Sequence, residues 1–89
     1  MYDVYINKAS RKRIGKAPET IKILFDDLVS DLENKGPIQK EWPNFSKLKG
    51  EKSKYHCHLK YSWVVCWTCE SGSIKIEVYY AGSREDVPY

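Results

Sequence analysis

Apolar positions along this chain follow a two-residue alternation at both ends and a helical repeat between them. Tyr2, Val4 and Ile6 alternate with Asp3 and Tyr5, which predicts a first strand. Asn7 is suited to cap a short basic helix ending near Gly15. Ala17-Pro18-Glu19 starts a second helix, because proline fits the first turn and an early acid favours the positive end of the helix dipole. Ile21, Leu24, Phe25, Leu28 and Leu32 recur at three- and four-residue intervals until Gly36-Pro37 stops the pattern. Residues 37–54 have no clear period. There Trp42, Phe45 and Leu48 are expected to tuck the connection against the core. Trp42 is biased to extended backbone by Pro43 and reads as a core anchor before it reads as a base-stacking platform.

The chain is organised around KYHCHLKYSWVVCW, residues 54–67. In a strand Tyr55, Cys57 and Leu59 fall on one face, and His56, His58 and Lys60 on the other. After a break at 60–62, Trp63, Val64, Val65, Cys66 and Trp67 form an apolar run of strand length, rich in β-branched and aromatic residues, that reads as a covered central strand. Glu70-Ser71-Gly72-Ser73 is a turn. Ile74, Ile76, Val78 and Tyr80 then alternate with Lys75, Glu77 and Tyr79 as a half-exposed strand closing a meander, and the tail leaves the sheet at Gly82. The expected fold is α+β, an N-terminal strand and two helices packed on one face of a small, mainly antiparallel sheet. It forms one domain over residues 1–89, since a chain this short buries a single core.

Composition narrows the function classes. With 42% hydrophobic and 30% charged residues the chain is globular, and no apolar run approaches the roughly 20 residues that span a bilayer. The first ten residues, MYDVYINKAS, lack the apolar core of a signal peptide, which predicts a cytoplasmic protein with no membrane partner and three reduced cysteines. Charge is segregated. Residues 8–16 carry Lys8, Arg11, Lys12, Arg13 and Lys16 with no acid, and residues 47–60 carry Lys47, Lys49, Lys52, Lys54 and Lys60 against Glu51. Between them residues 17–36 hold Glu19, Asp26, Asp27, Asp31 and Glu33 against Lys22 and Lys35. Clustered cations on a small domain suit a polyanion such as RNA; a solvated mixed-charge surface is the plainer alternative.

Several positions carry candidate chemistry. Two histidines on one strand face are either proton-transfer groups or a polar sheet surface. Cys66-Trp67-Thr68-Cys69 has CxxC spacing, yet in a regular strand the two thiols face opposite ways, so zinc needs a turn or bulge there. Cys57 and Cys66 read as small core residues. Tyr79 and Tyr80 should alternate faces, one in the core and one free to line a site. Asp26, Asp27 and Asp31 form a solvated helix face or a docking face for a partner protein.

A strand, a helix pair, Leu48-Lys49-Gly50, a Tyr-x-x-x-Leu strand from Tyr55 to Leu59, a meander and a terminal Gly82-Ser83-Arg84-Glu85 followed by Tyr89 resemble the RelE/ParE superfamily of toxin–antitoxin toxins. Within it WPNFSKL, YHCHL and the final VPY are similar to small cytotoxic translational repressors. The resemblance implies a ribosome-dependent endoribonuclease that cuts messenger RNA and is held inactive by a cognate antitoxin, as a homodimer or a toxin–antitoxin hetero-oligomer, with no metal or cofactor. It also implies the sites. RelE-like enzymes place two lysines where this chain has His56 and His58, and an arginine and a tyrosine matched by Arg84 and Tyr89. A histidine near pKa 6.5 is the better proton shuttle at neutral pH. The expected roles are His58 as general base, Arg84 as phosphate clamp, and Tyr89 or His56 as acid or stacking partner. Lys54 and Lys60 become phosphate contacts, and Lys49, Lys52, Arg11, Lys12 and Arg13 a wider RNA- or ribosome-binding surface. Many relatives carry an arginine near the start of the next strand, where this chain has Trp63. The same fold also hosts ParE-like gyrase inhibitors, and a non-catalytic RNA-binding member is the third class.

Overall fold

The computed structural model describes residues 1–48 and 53–88. Its elements run β1 (Asp3–Ile6), α1 (Lys8–Gly15), α2 (Glu19–Lys35), β2 (Ser46–Lys47), β3 (Lys54–His58), β4 (Trp63–Thr68) and β5 (Lys75–Ser83), followed by a 3₁₀ turn at Arg84–Asp86. The strands form one sheet in the order β1-β5-β4-β3-β2. β1 runs parallel to β5, and every other pairing is antiparallel. The expected α+β fold is therefore present, with the two-residue edge strand β2 added from the stretch that has no sequence period.

Local chemistry sets the helix ends. The Asn7 side chain accepts from Ser10 N–H at 2.9 Å, satisfying an amide that the first turn of α1 leaves unpaired. Pro18 stands at the N-cap of α2 with Glu19 in its first turn. At the other end Gly36 takes φ 91°, its N–H donates to Leu32 O at 3.0 Å, and a Cβ there would lie 2.8 Å from the Tyr2 ring. Both the left-handed backbone and the close approach of tyrosine require glycine.

Ile21, Phe25, Leu28 and Leu32 form the buried stripe of α2, with Leu24 only half-buried beside it. Facing them are Tyr55 and Cys57 of β3 with Leu59 just past its end, Val65 and Trp67 of β4, and Ile76, Val78 and Ala81 of β5. Trp67 is fully buried and donates through Nε1 to Pro37 O at 3.1 Å. Phe45, Tyr55 and Trp67 stack with centroids 6.0 to 6.3 Å apart. Trp42 packs on this core and donates to the Asp31 carboxylate at 2.9 Å, the anchoring role expected of it.

β5 departs from simple alternation. Cys66 pairs with Tyr80 but Trp67 pairs with Val78, so Tyr79 is an extra residue in a β-bulge. The bulge turns Tyr80 away from the face shared by Ile76 and Val78, and it packs instead with Val64 and Cys66 on the opposite side. Tyr79 packs on that side as well, so the two tyrosines do not divide between the faces. Ile74, expected to join the apolar face, is 59% exposed just before the strand begins. The strand continues through Ser83, paired with Trp63, instead of ending at Gly82. Among the described residues no helix is long and apolar enough to cross a membrane.

Candidate active-site face

Both helices pack on one side of the sheet, so the other side is free to carry chemistry. β3 alternates buried Tyr55 and Cys57 with half-buried Lys54, His56 and His58, and the histidine rings stand 5.8 Å apart on the side away from the helices. β4 contributes Val64 and Cys66 beside them, in register with His58 and His56. Tyr79, Tyr80 and Val87 complete an apolar floor. Lys54 Nζ lies 5.5 Å from the centre of the Tyr79 ring.

Each imidazole has a partner from the segment before or within β2. Asn44 Nδ2 is 3.2 Å from His58 Nδ1, and Ser46 Oγ is 3.1 Å from His56 Nδ1. Asn44 holds φ 56°, a left-handed conformation that asparagine tolerates better than most residues, and the adjoining Pro43 carbonyl accepts from His58 N–H at 2.8 Å. The turn at Pro43-Asn44 therefore grips His58 through both main chain and side chain.

Both histidines are held below their usual pKa. Burial is the main cause for each. The neighbouring His58 adds to it at His56, opposed by a hydrogen bond to the Ser46 main chain, and Arg84 adds to it at His58. Neutral rings at pH 7 suit proton acceptance. Arg84 itself is exposed at the head of the 3₁₀ turn, and its N–H donates to Ser62 O at 2.6 Å, which ties the tail to the turn between β3 and β4.

A second cation reaches this face from the helix side. β1 pairs with β5 only as far as Val78, and beyond that point Asn7 donates to Tyr79 O at 2.7 Å while α1 lies alongside the strand. Arg13 extends past that edge and sets its guanidinium 4.8 Å from the centre of the Tyr80 ring. Tyr80 in turn donates to Ser83 O at 2.6 Å.

The sequence-predicted residues divide accordingly. His56, His58, Arg84, Lys54 and Arg13 are associated with the open face. Lys60 is exposed in the turn after β3, 5.2 Å from the Tyr61 ring. Lys12 is exposed in the last turn of α1. Arg11 lines a groove with Ile14 and Phe25 between the two helices, away from the histidines. Lys49, Lys52 and Tyr89 lie outside the described residues. Trp63 packs with the helix-side core, so the β4 residue beside His58 on the open face is Val64.

Cys66 lies on the open side and Cys69 in the helix-side core, and among the described residues no three histidine, cysteine or acidic side chains group as a metal site would need. Asn44 and Ser46 went unrecognised in the sequence as partners of the histidines. Their two-residue spacing beside Pro43 was the only signal, and its meaning depends on β2 pairing with β3.

The backbone fold is shared with known structures. A chain of the archaeal RelE–RelB complex from Pyrococcus horikoshii OT3 superposes with a TM-score of 0.79 over 97% of this chain and 98% of its own length, at 19% identity. The fold is that of the RelE toxins. The isolated Escherichia coli RelE toxin matches with a TM-score of 0.75 at 16% identity, over 99% of this chain and 89% of its own. The YoeB dimer from Staphylococcus aureus matches with 0.71 at 10% identity, over 91% and 94%. No protein-family model and no curated protein matches the sequence. At these identities the likeness to RelE is one of backbone, and the chemistry of the open face has to be argued from this chain's own side chains.

Proposed function

We propose that this protein is the toxin of a toxin–antitoxin pair and cleaves messenger RNA on the ribosome. The observation that carries the reading is the pair of histidines on the open face, each held by a side-chain hydrogen bond and kept below its usual pKa mainly by burial, with Arg84 beside His58. RNA cleavage through its own 2′-hydroxyl requires a base for that proton and cations for the phosphorane, and His56, His58, Arg84 and Lys54 are of those types. The 2′-oxygen forms its bond to phosphorus as the bond to the 5′-oxygen breaks. The imidazole takes the 2′-proton and returns it to solvent, and the 5′-oxygen gains a proton. Tyr89 remains in this scheme as the acid or a stacking partner.

Positioned base catalysis is worth roughly 10²- to 10⁴-fold, and loss of one charge-stabilising donor costs about 3 kcal/mol. Lys60, Lys49, Lys52, Arg11 and Lys12 supply phosphate or ribosome contacts, and Arg13 supports the tyrosine floor as well. The cellular site is the cytoplasm, where ribosomes are. A cognate antitoxin is the expected partner, in keeping with the RelE–RelB complexes among the structural neighbours. A ParE-like gyrase inhibitor would have no use for the oriented imidazoles.

The test is a pulse of expression in bacteria without antitoxin, followed by mapping of messenger RNA 5′ ends, with His56→Ala, His58→Ala and Arg84→Ala alongside. Cuts within translated regions that fade in the variants support the reading. Growth arrest with intact messenger RNA refutes it and points to a protein target.

A further inference from the structure

Among the described residues four hold a positive φ, and three are of the types that tolerate it: Gly36 at 91°, Gly72 at 80° and Asn44 at 56°. The fourth is Tyr61, at φ 56°. It stands in the turn between β3 and β4, which is closed by Trp63 N–H donating to Lys60 O at 3.1 Å and Leu59 N–H to Trp63 O at 2.9 Å. A bulky residue in the left-handed region carries strain that glycine would avoid. No internal contact of the tyrosine offsets that strain. Its ring is 78% exposed, and its hydroxyl bonds no described residue.

The turn is anchored beside the candidate catalytic groups. Ser62 O accepts from Arg84 N–H at 2.6 Å, Arg84 helps to lower the pKa of His58, and His58 ends β3 three residues before Tyr61. Lys60 Nζ stands 5.2 Å from the centre of the Tyr61 ring, so one aromatic face carries a cation and the other is left to solvent. An exposed aromatic face with an ammonium group next to it matches an unpaired nucleotide, whose base stacks on a ring and whose phosphate seeks a cation.

We propose that Tyr61 is a base-stacking platform for single-stranded RNA beside Arg84, with Lys60 meeting the adjoining phosphate. The inference deepens the ribonuclease reading and rests on it for the RNA. The platform takes the π-face of a base and so favours no base strongly. That base belongs either to the messenger or to the ribosomal RNA around it. The strained backbone persists because the pinned turn presents the ring in a fixed place, which lowers the ordering cost of binding.

The first arm of the test needs no ribosome. The probe is 2′-O-methyl hexa-adenylate, which cannot be cut through its 2′-oxygen, titrated into the isotope-labelled full chain. The ring protons of Tyr61 should move upfield as a base stacks on them. Tyr61→Gly suits the left-handed backbone, so its urea midpoint should rise while its affinity for the probe falls roughly 5- to 100-fold. Tyr61→Phe keeps the π-face and should bind within about 3-fold of the parent. An abasic sugar-phosphate hexamer should bind the parent and Tyr61→Gly alike, because it offers phosphates and no base. Unchanged affinity of Tyr61→Gly for hexa-adenylate, or a lowered urea midpoint, overturns the proposal, since the ring is then idle or structural.

Ribosomes give the second arm. Weaker binding of Tyr61→Gly to ribosomes that carry messenger, with no change on empty ones, assigns the base to the messenger; weaker binding to both assigns it to ribosomal RNA. Messenger cleavage undiminished in Tyr61→Gly at sub-saturating ribosomes overturns the stacking role and leaves the ribonuclease reading intact. Stacking of the probe on Tyr61 in a protein that cuts no messenger refutes the ribonuclease reading and leaves the binding site standing.

Discussion

Gly82 lies on the open face against Arg13 and Tyr80, and its replacement by alanine has a calculable cost. A Cβ at this position would stand 2.8 Å from Arg13 Cδ, 2.9 Å from Tyr80 Oη and 3.1 Å from Tyr80 Cζ. Arg13 is an exposed, flexible arm and gives way cheaply. Tyr80 does not, because it is 4% exposed and its hydroxyl is held to Ser83 O at 2.6 Å. Overpacking in such a site costs about 1–3 kcal/mol. Stretching the tyrosine hydrogen bond adds roughly 1 kcal/mol, and replacing a strand glycine returns about 0.5–1 kcal/mol. The net is a destabilisation of about 2 kcal/mol, which for a domain of this size lowers Tm by about 8–16 °C. Urea unfolding followed by tryptophan fluorescence measures it. In a Tyr80→Phe background the nearest rigid atom is gone, so Gly82→Ala should cost clearly less there. A neutral Gly82→Ala, or one equally costly with and without the tyrosine hydroxyl, refutes this account of the face.

The other expectations rest on single groups. The Ser10 hydroxyl is fully buried with no hydrogen-bond partner among the described residues, so Ser10→Ala should be neutral or stabilising by up to about 1 kcal/mol, and a clear loss in the urea midpoint would contradict it. Burial pushes the Cys57 and Cys66 thiols up to about 12, with Cys66 also hydrogen-bonded to Tyr79, so native protein at pH about 8 should alkylate at these two sites far more slowly than unfolded protein. Labelling of either at the rate of a free thiol would show that the sheet opens. His56 and His58 titrate below 6.5 in the folded protein. Between 6.5 and those lowered values the unfolded chain binds more protons, so this part of the stability is complete above pH 6.5 and is lost as pH falls through that window. A series of urea midpoints from pH 7.5 to 5 should slope down more steeply in the parent than in a His56→Gln, His58→Gln double variant.

Much of this architecture follows from local rules that a linear sequence states directly. The stripe Ile21, Phe25, Leu28 and Leu32, the Asn7 cap, the Gly36-Pro37 stop and the opposition of Tyr55 and Cys57 to His56 and His58 all depend on periods of 3.6 and 2 and on the preferences of single residues. They determined the helix positions, the α+β class and the location of the histidines on a side chain face distinct from the core. What lay beyond reach depends on which strands become neighbours. The bulge at Tyr79 exists only because β4 and β5 pair on both sides of it out of step, and that one extra residue puts Tyr79 and Tyr80 on the same side. The short reach of β1 along β5 opens the edge past which Arg13 meets Tyr80. Asn44 and Ser46 meet the histidines because β2 pairs with β3, which brings together side chains 14 and 10 residues apart in the chain, and no local period encodes a partner at that distance. Sequence therefore determined which groups stand on the open face, whereas the long-range pairing of strands decided which partners each imidazole meets there.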